Sequence, residues 1–190
     1  ICDFLAFLPG AQIDDHCRVY PGKIQSGGGL AFQASNGLQR LEAVPAVFRR
    51  LQSKMGFCKI DLFASRLNAQ LKSFFSWRLD PLALATDAFL QDWGNDLQYA
   101  FPPIAIIPRV AAQVRRQRSE LILIAPFLLA QTWFPMLMEL SYDLPLLLPV
   151  CPDLLRDPLG QAHPLILQSR LTLLSWRISG NVGRCRVFRD

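Results

Sequence analysis

The 190-residue sequence is poor in the residues that metal sites and nucleophilic catalysis use most. It has only two histidines, His16 and His163, so a Ser-His-Asp arrangement is not credible. Its five cysteines are scattered, and none belongs to a Cys-x-x-Cys pair. Unpaired thiols of this kind are typical of a reducing compartment rather than of a zinc site or a disulfide framework. We therefore predict no metal site.

Charged residues and long apolar runs are also scarce. Only 18% of the residues are charged and 51% are hydrophobic, which argues against disorder and provides material for a sizeable core. The longest apolar runs, Leu121–Ala130 and Leu144–Val150, contain proline or are too short to span a bilayer. Because no signal peptide is evident either, we expect an intracellular protein, cytoplasmic or nuclear, with no membrane partner. Ile1 in place of Met suggests a piece cut from a longer chain.

The net charge of +5 is concentrated towards the two ends of the sequence. Residues 57–150 carry 8 basic and 8 acidic side chains, whereas residues 1–56 carry 6 and 4 and residues 151–190 carry 6 and 3. A basic balance suits DNA or RNA as a partner, but the neutral central region weakens that argument. Arg115, Arg116 and Arg118 fit either phosphate contacts or a solvated helix face. Trp77 and Trp93 fit core packing better than base stacking.

Hydrophobic periodicity and Gly/Pro punctuation predict alternating strands and helices. In chain order we predict a helix at Val44–Met55, strands at Phe57–Phe63, Ser73–Leu79 and Tyr99–Phe101, a helix at Ile104–Ser119, a strand at Leu121–Ala125, a helix at Gln131–Leu140 and an edge strand at Leu144–Val150. Strand, helix and strand in succession are typical of a parallel sheet. The predicted fold class is therefore α/β with a Rossmann-like, mostly parallel sheet and irregular N-terminal and C-terminal extensions.

The segment 57–103 contains the features expected of a ligand site. In open α/β sheets, ligands bind beyond the carboxyl ends of the strands. We predict Asp61 near the carboxyl end of the first strand of this segment, and Pro102-Pro103 directly after its last strand. These positions predict a crevice between the two strand ends.

The order of the motifs resembles two related groups of proteins. Asp61-Leu62-Phe63-Ala64-Ser65 comes first, Asp92-Trp93 and Phe101-Pro102-Pro103 follow, and an apolar strand ending in Pro126 precedes Thr132-Trp133-Phe134. This order resembles the phage-type DNA adenine methyltransferases. The pattern DLFASRLN…SW…DP…DAF…W…YAFPP…PRV also resembles the segment behind ribonuclease H in polyproteins of DIRS-type, tyrosine-recombinase retrotransposons.

The resemblance implies a domain organisation within a polyprotein. Residues 1–40 would be a degenerate ribonuclease H remnant and linker, residues 41–150 a methyltransferase-like domain, and residues 151–190 a connecting tail towards a recombinase. In the remnant, Gln25 and Gly29 take the positions of the family's Asn and metal-binding Asp, so nuclease activity is not expected. The implied partners are the reverse transcriptase and tyrosine recombinase of the same polyprotein.

The residues at the key positions argue against methyl transfer. The resemblance implies S-adenosylmethionine as cofactor and an Asn/Asp-Pro-Pro-Tyr/Phe motif, whose first side chain accepts from the adenine amino group and whose last stacks on the base. Here Phe101 lacks an acceptor oxygen and Ile104 cannot stack in the same way. Asp61 would serve the cofactor, assisted by Asp80 or Asp92, or Asp61 would instead bind nearby backbone N–H groups.

The region after the first strand also lacks the glycine-rich turn that lets a cofactor approach the backbone. We therefore predict a non-enzymatic or vestigial segment with no cofactor. An active S-adenosylmethionine-dependent DNA adenine methyltransferase and a nucleic-acid-binding module are the alternatives.

Overall fold

The computed structural model describes residues 42–43, 45–148, 155–156 and 171–189. The strands are β1 (Glu42–Ala43), β2 (Asp61–Ala64), β3 (Phe74–Ser76), β4 (Ala85–Thr86), β5 (Leu97–Ala100), β6 (Glu120–Pro126), β7 (Leu146–Leu147), β8 (Leu155–Arg156) and β9 (Leu173–Ser179). The α-helices are α1 (Pro45–Met55), α2 (Ile107–Gln117), α3 (Trp133–Leu140) and α4 (Val182–Arg189), and short 3-10 helices lie at Ala88–Leu90 and Ile104–Ile106.

Seven strands form one sheet in the order β4-β3-β2-β5-β6-β9-β7. Neighbours from β4 to β6 are parallel, whereas β9 is antiparallel to both β6 and β7. Strands β1 and β8 pair separately. From β2 the chain first builds outwards to β3 and β4 and then continues on the other side from β5, so the strand order reverses between β2 and β5. Doubly wound sheets have such a switch point. The prediction of an α/β fold with a mostly parallel sheet is confirmed.

Strand β6 is buried on both faces and separates two hydrophobic clusters. Leu121, Leu123 and Ala125 pack on the side of α2 and α3, together with the Trp176 side chain of β9. Ile122 and Ile124 alternate with them and pack on the side of α1. A continuous apolar run is expected of a parallel strand that helices cover on both sides.

The helices and the strands around β6 follow the sequence prediction closely. Helix α1 presents Phe48 and Leu51 to the sheet, and the Phe48 ring meets the edge of the Tyr99 ring at a centroid distance of 4.8 Å. Pro108 lies in the first turn of α2, where its missing N–H leaves no intrahelical hydrogen bond unmade. Strand β7 lies at an edge of the sheet, as its prolines predicted.

The strands near the start of the sheet are shorter than predicted. The strand predicted at Phe57–Phe63 begins only at Asp61, because Gly56 ends α1 with φ of 110° and Phe57 remains 82% exposed. The connections 65–73 and 77–84 contain no helix, although each joins two parallel strands. Helical cover is thus concentrated over β5, β6 and β9.

The sheet extends beyond the domain boundary that we predicted at residue 150. Strand β9 pairs with β6 in seven-residue register, from Ser179 opposite Glu120 to Leu173 opposite Pro126. Six of its seven residues are buried, which a connecting tail would not provide. The boundary at 150 therefore needs correction, since Leu173–Ser179 completes the domain. The predicted ribonuclease H remnant, residues 1–40, lies outside the described residues.

A close backbone contact fixes the exit from β9. The Gly180 N–H donates to the Ser119 carbonyl at 3.0 Å, and a Cβ at Gly180 would lie 2.1 Å from the Val114 carbonyl oxygen and 2.7 Å from the Arg118 Cα. Both obstacles are backbone atoms of the α2 region, which no side-chain rotation removes. Only glycine fits here without a shift of α2 or β9.

Replacement of Gly180 by alanine is expected to destabilise the fold by about 2 kcal/mol or more, since overpacking costs about 1–3 kcal/mol even against side chains. Gly183→Ala is the matched control, because its Cβ would meet only the Asn181 Oδ1 at 3.4 Å. Alanine within α4 should be neutral or stabilising by up to about 1 kcal/mol. Urea denaturation of both variants measures the difference, and equal stabilities would show that the contact at Gly180 is not tight.

Candidate functional site

The switch point places the ends of β2 and β5 side by side. These parallel strands are hydrogen-bonded neighbours, and they end at Ala64 and Ala100. Pro102-Pro103 follows β5 directly, as the sequence predicted, and proline cannot supply the N–H that would extend the ladder. The edge formed by the carboxyl ends of the parallel strands, here named the carboxyl edge, is where a doubly wound sheet binds its ligand. The opposite edge is named the amino edge.

Asp61 does not lie at the carboxyl edge, so the predicted position is wrong. It is the first residue of β2, and its register partners are Phe74 and Tyr99. Three residues of strand at about 3.3 Å each separate it from Ala64, which places it roughly 10 Å from the crevice. The error arose because the apolar run begins four residues before the regular strand does.

Asp61 has a structural role beneath α1. Its side chain is buried, and Oδ2 accepts from the Gln70 N–H at 3.1 Å. Burial raises the pKa of Asp61 to about 7, although hydrogen bonds from the backbone of Gln70 and Phe63 act to lower it. Burial also raises the pKa of the neighbouring Cys58 thiol to about 12. The alternative interpretation of Asp61, that it binds nearby backbone N–H groups, agrees with this geometry.

Asp80 lies at the carboxyl edge, in the loop that follows β3. Its Oδ2 is 3.1 Å from the Arg66 Nε, and its Oδ1 accepts from the Leu82 N–H at 3.0 Å. The Asp80 side chain is only 8% exposed, while Arg66 is largely in solvent. The ion pair joins the loops after β2 and β3. Doubly wound folds that bind nucleotides place an acidic residue for the ribose in this part of the sheet.

Asp92 lies far from the crevice, which corrects its assignment as a cofactor residue. Its Oδ1 accepts from the Gly94 N–H at 2.8 Å, as in an Asx turn. The adjacent Trp93 N–H donates to Gln117 Oε1 at 3.0 Å, at the C-terminal end of α2. Because α2 runs from the end of β5 back to the start of β6, this contact places Asp92 at the amino edge.

Asp87 was missed as a candidate by the sequence reasoning. It follows β4 directly at the carboxyl edge and has a left-handed φ of 54°. Its Oδ1 accepts from the Phe89 N–H at 3.0 Å and caps the short helix there. Left-handed backbone is uncommon outside glycine, and such conformations cluster at ligand sites. The available signal was an Asp directly after an apolar run, since Asp tolerates this conformation.

The four residues after β5 present no reactive group. Phe101 is half-buried and packs against the cluster beneath α1, whereas Ile104 packs against the cluster beneath α2 and α3. Pro102 is buried between them, and Pro103 is half-buried. The two side chains that would accept from and stack on a base in the resembled motif are therefore partly buried and pack against the two hydrophobic clusters.

The turn after β2 offers no phosphate cradle. Asn68 Oδ1 accepts from the Ser65 N–H at 2.7 Å and from the Ser65 hydroxyl at 2.8 Å, and the Ala69 N–H donates to the Ser65 carbonyl at 2.9 Å. These bonds close a tight turn without glycine, and the loop continues to β3 without a helix. The backbone N–H groups that a helix N-terminus would direct at an anion are thus absent between β2 and β3.

The arginines proposed for nucleic acid lie at the C-terminal end of α2. Arg115 Nη2 pairs with Glu139 Oε2 at 2.7 Å, and Arg116 Nη2 donates to Gln113 Oε1 at 2.8 Å. Arg118 caps the helix in left-handed conformation, with φ of 57°. This end of α2 is at the amino edge, so these arginines do not line the crevice.

The two tryptophans have different environments. Trp93 is buried, and its Nε1 donates to the Ala88 carbonyl at 2.7 Å, so its predicted core packing is confirmed. Trp77 is 68% exposed after β3, so the same prediction is wrong for it. Trp77 follows the three-residue strand β3 directly, and the Arg78 guanidinium lies over its ring at 4.0 Å.

Within the described part of the chain, no three His, Cys, Asp or Glu residues are grouped so as to hold a metal ion. No helix in the same part combines the length and apolar character needed to cross a bilayer.

Asp61→Asn is expected to change the pH dependence of stability. Because the folded pKa of about 7 exceeds the ordinary value of 3.8, the stability that neutral Asp61 provides is complete below about pH 4 and is lost as the pH rises through 7. Asparagine keeps an acceptor for the Gln70 N–H and avoids the buried charge. The variant should therefore exceed the wild type in stability by a few kcal/mol at about pH 8, at about 1.4 kcal/mol per pKa unit.

Urea denaturation at several pH values measures this effect. The gain of Asp61→Asn over the wild type should shrink steadily towards about pH 4. Asp92→Asn, an exposed position at the amino edge, is the control and should show no such trend. A constant difference across the pH range would contradict the assignment of Asp61 as a buried carboxyl.

Comparison with known proteins adds no family to this picture. A scan against models of protein families finds no match for this chain, and a search of curated proteins finds no significant match either.

Proposed function

We propose that this chain is a methyltransferase-like domain that does not transfer methyl groups and that forms part of a tyrosine-recombinase retrotransposon polyprotein. The proposal has two parts. The fold descends from a methyltransferase, and the residues needed for methyl transfer have been lost. Different residues support each part, and each part has its own test.

The sheet supports the ancestry. The first five strands from β2 onwards take the 3-2-1-4-5 order of doubly wound sheets, and the Pro102-Pro103 pair lies at the switch point. The resembled methyltransferase motif requires this position for its Pro-Pro pair, because the motif must face a ligand beyond the strand ends. The family resemblance and the topology are independent observations that agree on one location.

The packing of Phe101 and Ile104 is the main observation that supports a loss of methyl-transfer activity. Methylation of an adenine amino group requires an acceptor for its protons and stabilisation of the positive charge that develops there. Phe101 provides neither, and its ring contributes to the core beneath α1. Ile104 is held in the opposite cluster. An aromatic base support would have to displace that packing.

The cofactor side of the crevice supports the same conclusion. Of the three acidic residues predicted for S-adenosylmethionine, only Asp80 lies at the carboxyl edge, and Arg66 already neutralises it. The turn after β2 has no glycine and no helix N-terminus. A sulfonium cofactor would therefore find one paired carboxylate and few free backbone donors.

The polyprotein context rests on the resemblance and is tested outside the chain. It expects a reverse transcriptase with ribonuclease H upstream and a tyrosine recombinase downstream in the same reading frame. Of the segments that would join those domains, residues 1–40, 151–154 and 157–170 lie outside the described residues. An unrelated flanking frame would remove this part of the proposal without affecting the structural part.

Isothermal titration with S-adenosylmethionine, followed by a methyl-transfer assay on DNA with radiolabelled cofactor, tests the loss of chemistry. The expected result is no saturable heat and no label in DNA. Micromolar binding together with methyl transfer would overturn the proposal and establish the alternative, an active DNA adenine methyltransferase.

Two matched variants separate a weak residual cofactor site from nonspecific binding. Asp80→Asn and Asp61→Asn each replace one carboxyl by an amide, at opposite ends of the sheet. Any residual binding in the crevice should fall with Asp80→Asn and remain with Asp61→Asn. Equal loss in both variants would mean that the heat reports overall charge or stability.

A further inference from the structure

The fold brings two basic segments together at the amino edge, although they lie far apart in the sequence. Helix α2 ends beside the start of β6, and β9 leads into α4 at the same place. The Gly180 N–H donates to the Ser119 carbonyl at 3.0 Å, immediately after Arg118. Gly180 therefore lies against the C-terminal end of α2, and α4 begins two residues later.

The arginines at the end of α2 and in the first turn of α4 are exposed to solvent. Arg115, Arg116 and Arg118 of α2 and Arg184 of α4 form the cluster that is here named the basic edge. Two carboxylates pair with them, Glu139 with Arg115 and Glu120 with Arg184, and Asp92 lies at the same edge beside the end of α2. Arg116 and Arg118 have no carboxylate partner among the residues that the structure describes. The basic edge thus keeps an excess of positive charge.

A second network fixes the α4 side of the basic edge. The Tyr142 ring lies between two guanidinium groups, at 4.9 Å from that of Arg177 and 4.6 Å from that of Arg184. Arg177 also donates to the Tyr142 hydroxyl at 3.2 Å and pairs with Asp143 at 3.1 Å. These contacts tie α4 to β9 and to the segment before β7. The positive surface is therefore held against the sheet by these contacts.

We propose that the basic edge binds the phosphate backbone of a nucleic acid. Exposed arginines without carboxylate partners suit phosphate oxygens, and such contacts need no particular base sequence. The surface lies on the edge opposite the crevice, so the inference does not depend on whether the crevice binds a cofactor.

Nucleic acid fits this surface better than a lipid bilayer does. A helix that lies on a membrane needs an apolar face to insert beneath the headgroups. Val182, 57% exposed, is the one large hydrophobic side chain exposed on α4 among those that the structure describes, whereas Cys185 is buried. The exposed large hydrophobics at Leu67, Trp77 and Leu79 lie in the loops after β2 and β3, away from the basic edge.

Fluorescence anisotropy with labelled duplex DNA, single-stranded DNA and RNA tests the proposal over a range of salt concentrations. The test variant is Arg116→Glu/Arg118→Glu. The matched control is Arg49→Glu/Lys54→Glu, which makes the same change in net charge on the exposed side of α1. Circular dichroism melting of each variant checks that it folds.

The wild type should bind at least one of the nucleic acids, with affinity that falls steeply as salt increases. The Arg116→Glu/Arg118→Glu variant should bind at least about tenfold more weakly, and the salt slope should decrease by about one for each phosphate that is no longer neutralised. The control should retain most of the wild-type affinity. Unfolding of a variant would be visible in its melting curve, and the milder Arg116→Gln/Arg118→Gln variant removes the two charges without adding repulsion.

Three results would overturn the proposal. One is an absence of binding to all three nucleic acids at low salt. Another is an equal effect of control and basic-edge variants, which would show attraction by net charge alone. The third is binding to vesicles that contain phosphatidylserine with no binding to nucleic acid, which would assign the surface to membranes.

Discussion

The pairing of β6 with β9 is the interaction on which the rest of the structure depends. Strand β6 separates the two hydrophobic clusters, and β9 extends both clusters through Leu173 on one side and Trp176 on the other. Without β9, one side of β6 would be an open, apolar edge, which proteins avoid because it invites aggregation. The return from β9 also brings Gly180 against α2 and places α4 at the amino edge.

The same architecture explains why the crevice is chemically poor. Strands β2, β3 and β4 are short and are joined by loops without helices, so little structure stands over the carboxyl edge on that side. Where a cofactor would need oriented N–H groups, Asn68 closes a tight turn on Ser65. Where a base would need a polar contact, the Phe101 ring packs against the hydrophobic cluster beneath α1. At these positions a ligand site would need free polar groups, whereas stability favours apolar packing and closed turns. The residues present provide packing and closed turns.

The parts of the fold that sequence reasoning predicted are those with a strong local signal. Helix α2, strand β6 and the Pro102-Pro103 break follow from apolar period and proline chemistry, which act within a few residues. The position of β9 depends on pairing between residues far apart in the chain, so the apolar residues of this segment do not by themselves place it beside β6. The predicted position of Asp61 was wrong for a related reason, since composition does not fix where within an apolar run the regular strand begins.

The candidate site was harder to predict than the fold, because a site is formed by residues from two or more segments that are far apart in the sequence. Asp80 and Arg66 are separated in the sequence, and only the parallel pairing of β2 with β3 makes them partners at 3.1 Å. From the sequence alone, the arginines of α2 fit an isolated solvated helix face. The pairing of β6 with β9 brings α4 to the same edge. At the carboxyl edge, Phe101 and Ile104 thus pack against the hydrophobic clusters. The amino edge gains positive charge from α4, which the sequence analysis had assigned to a connecting tail. The proposed contact with nucleic acid at the amino edge would need no reacting group, so it does not depend on the chemistry of the carboxyl edge.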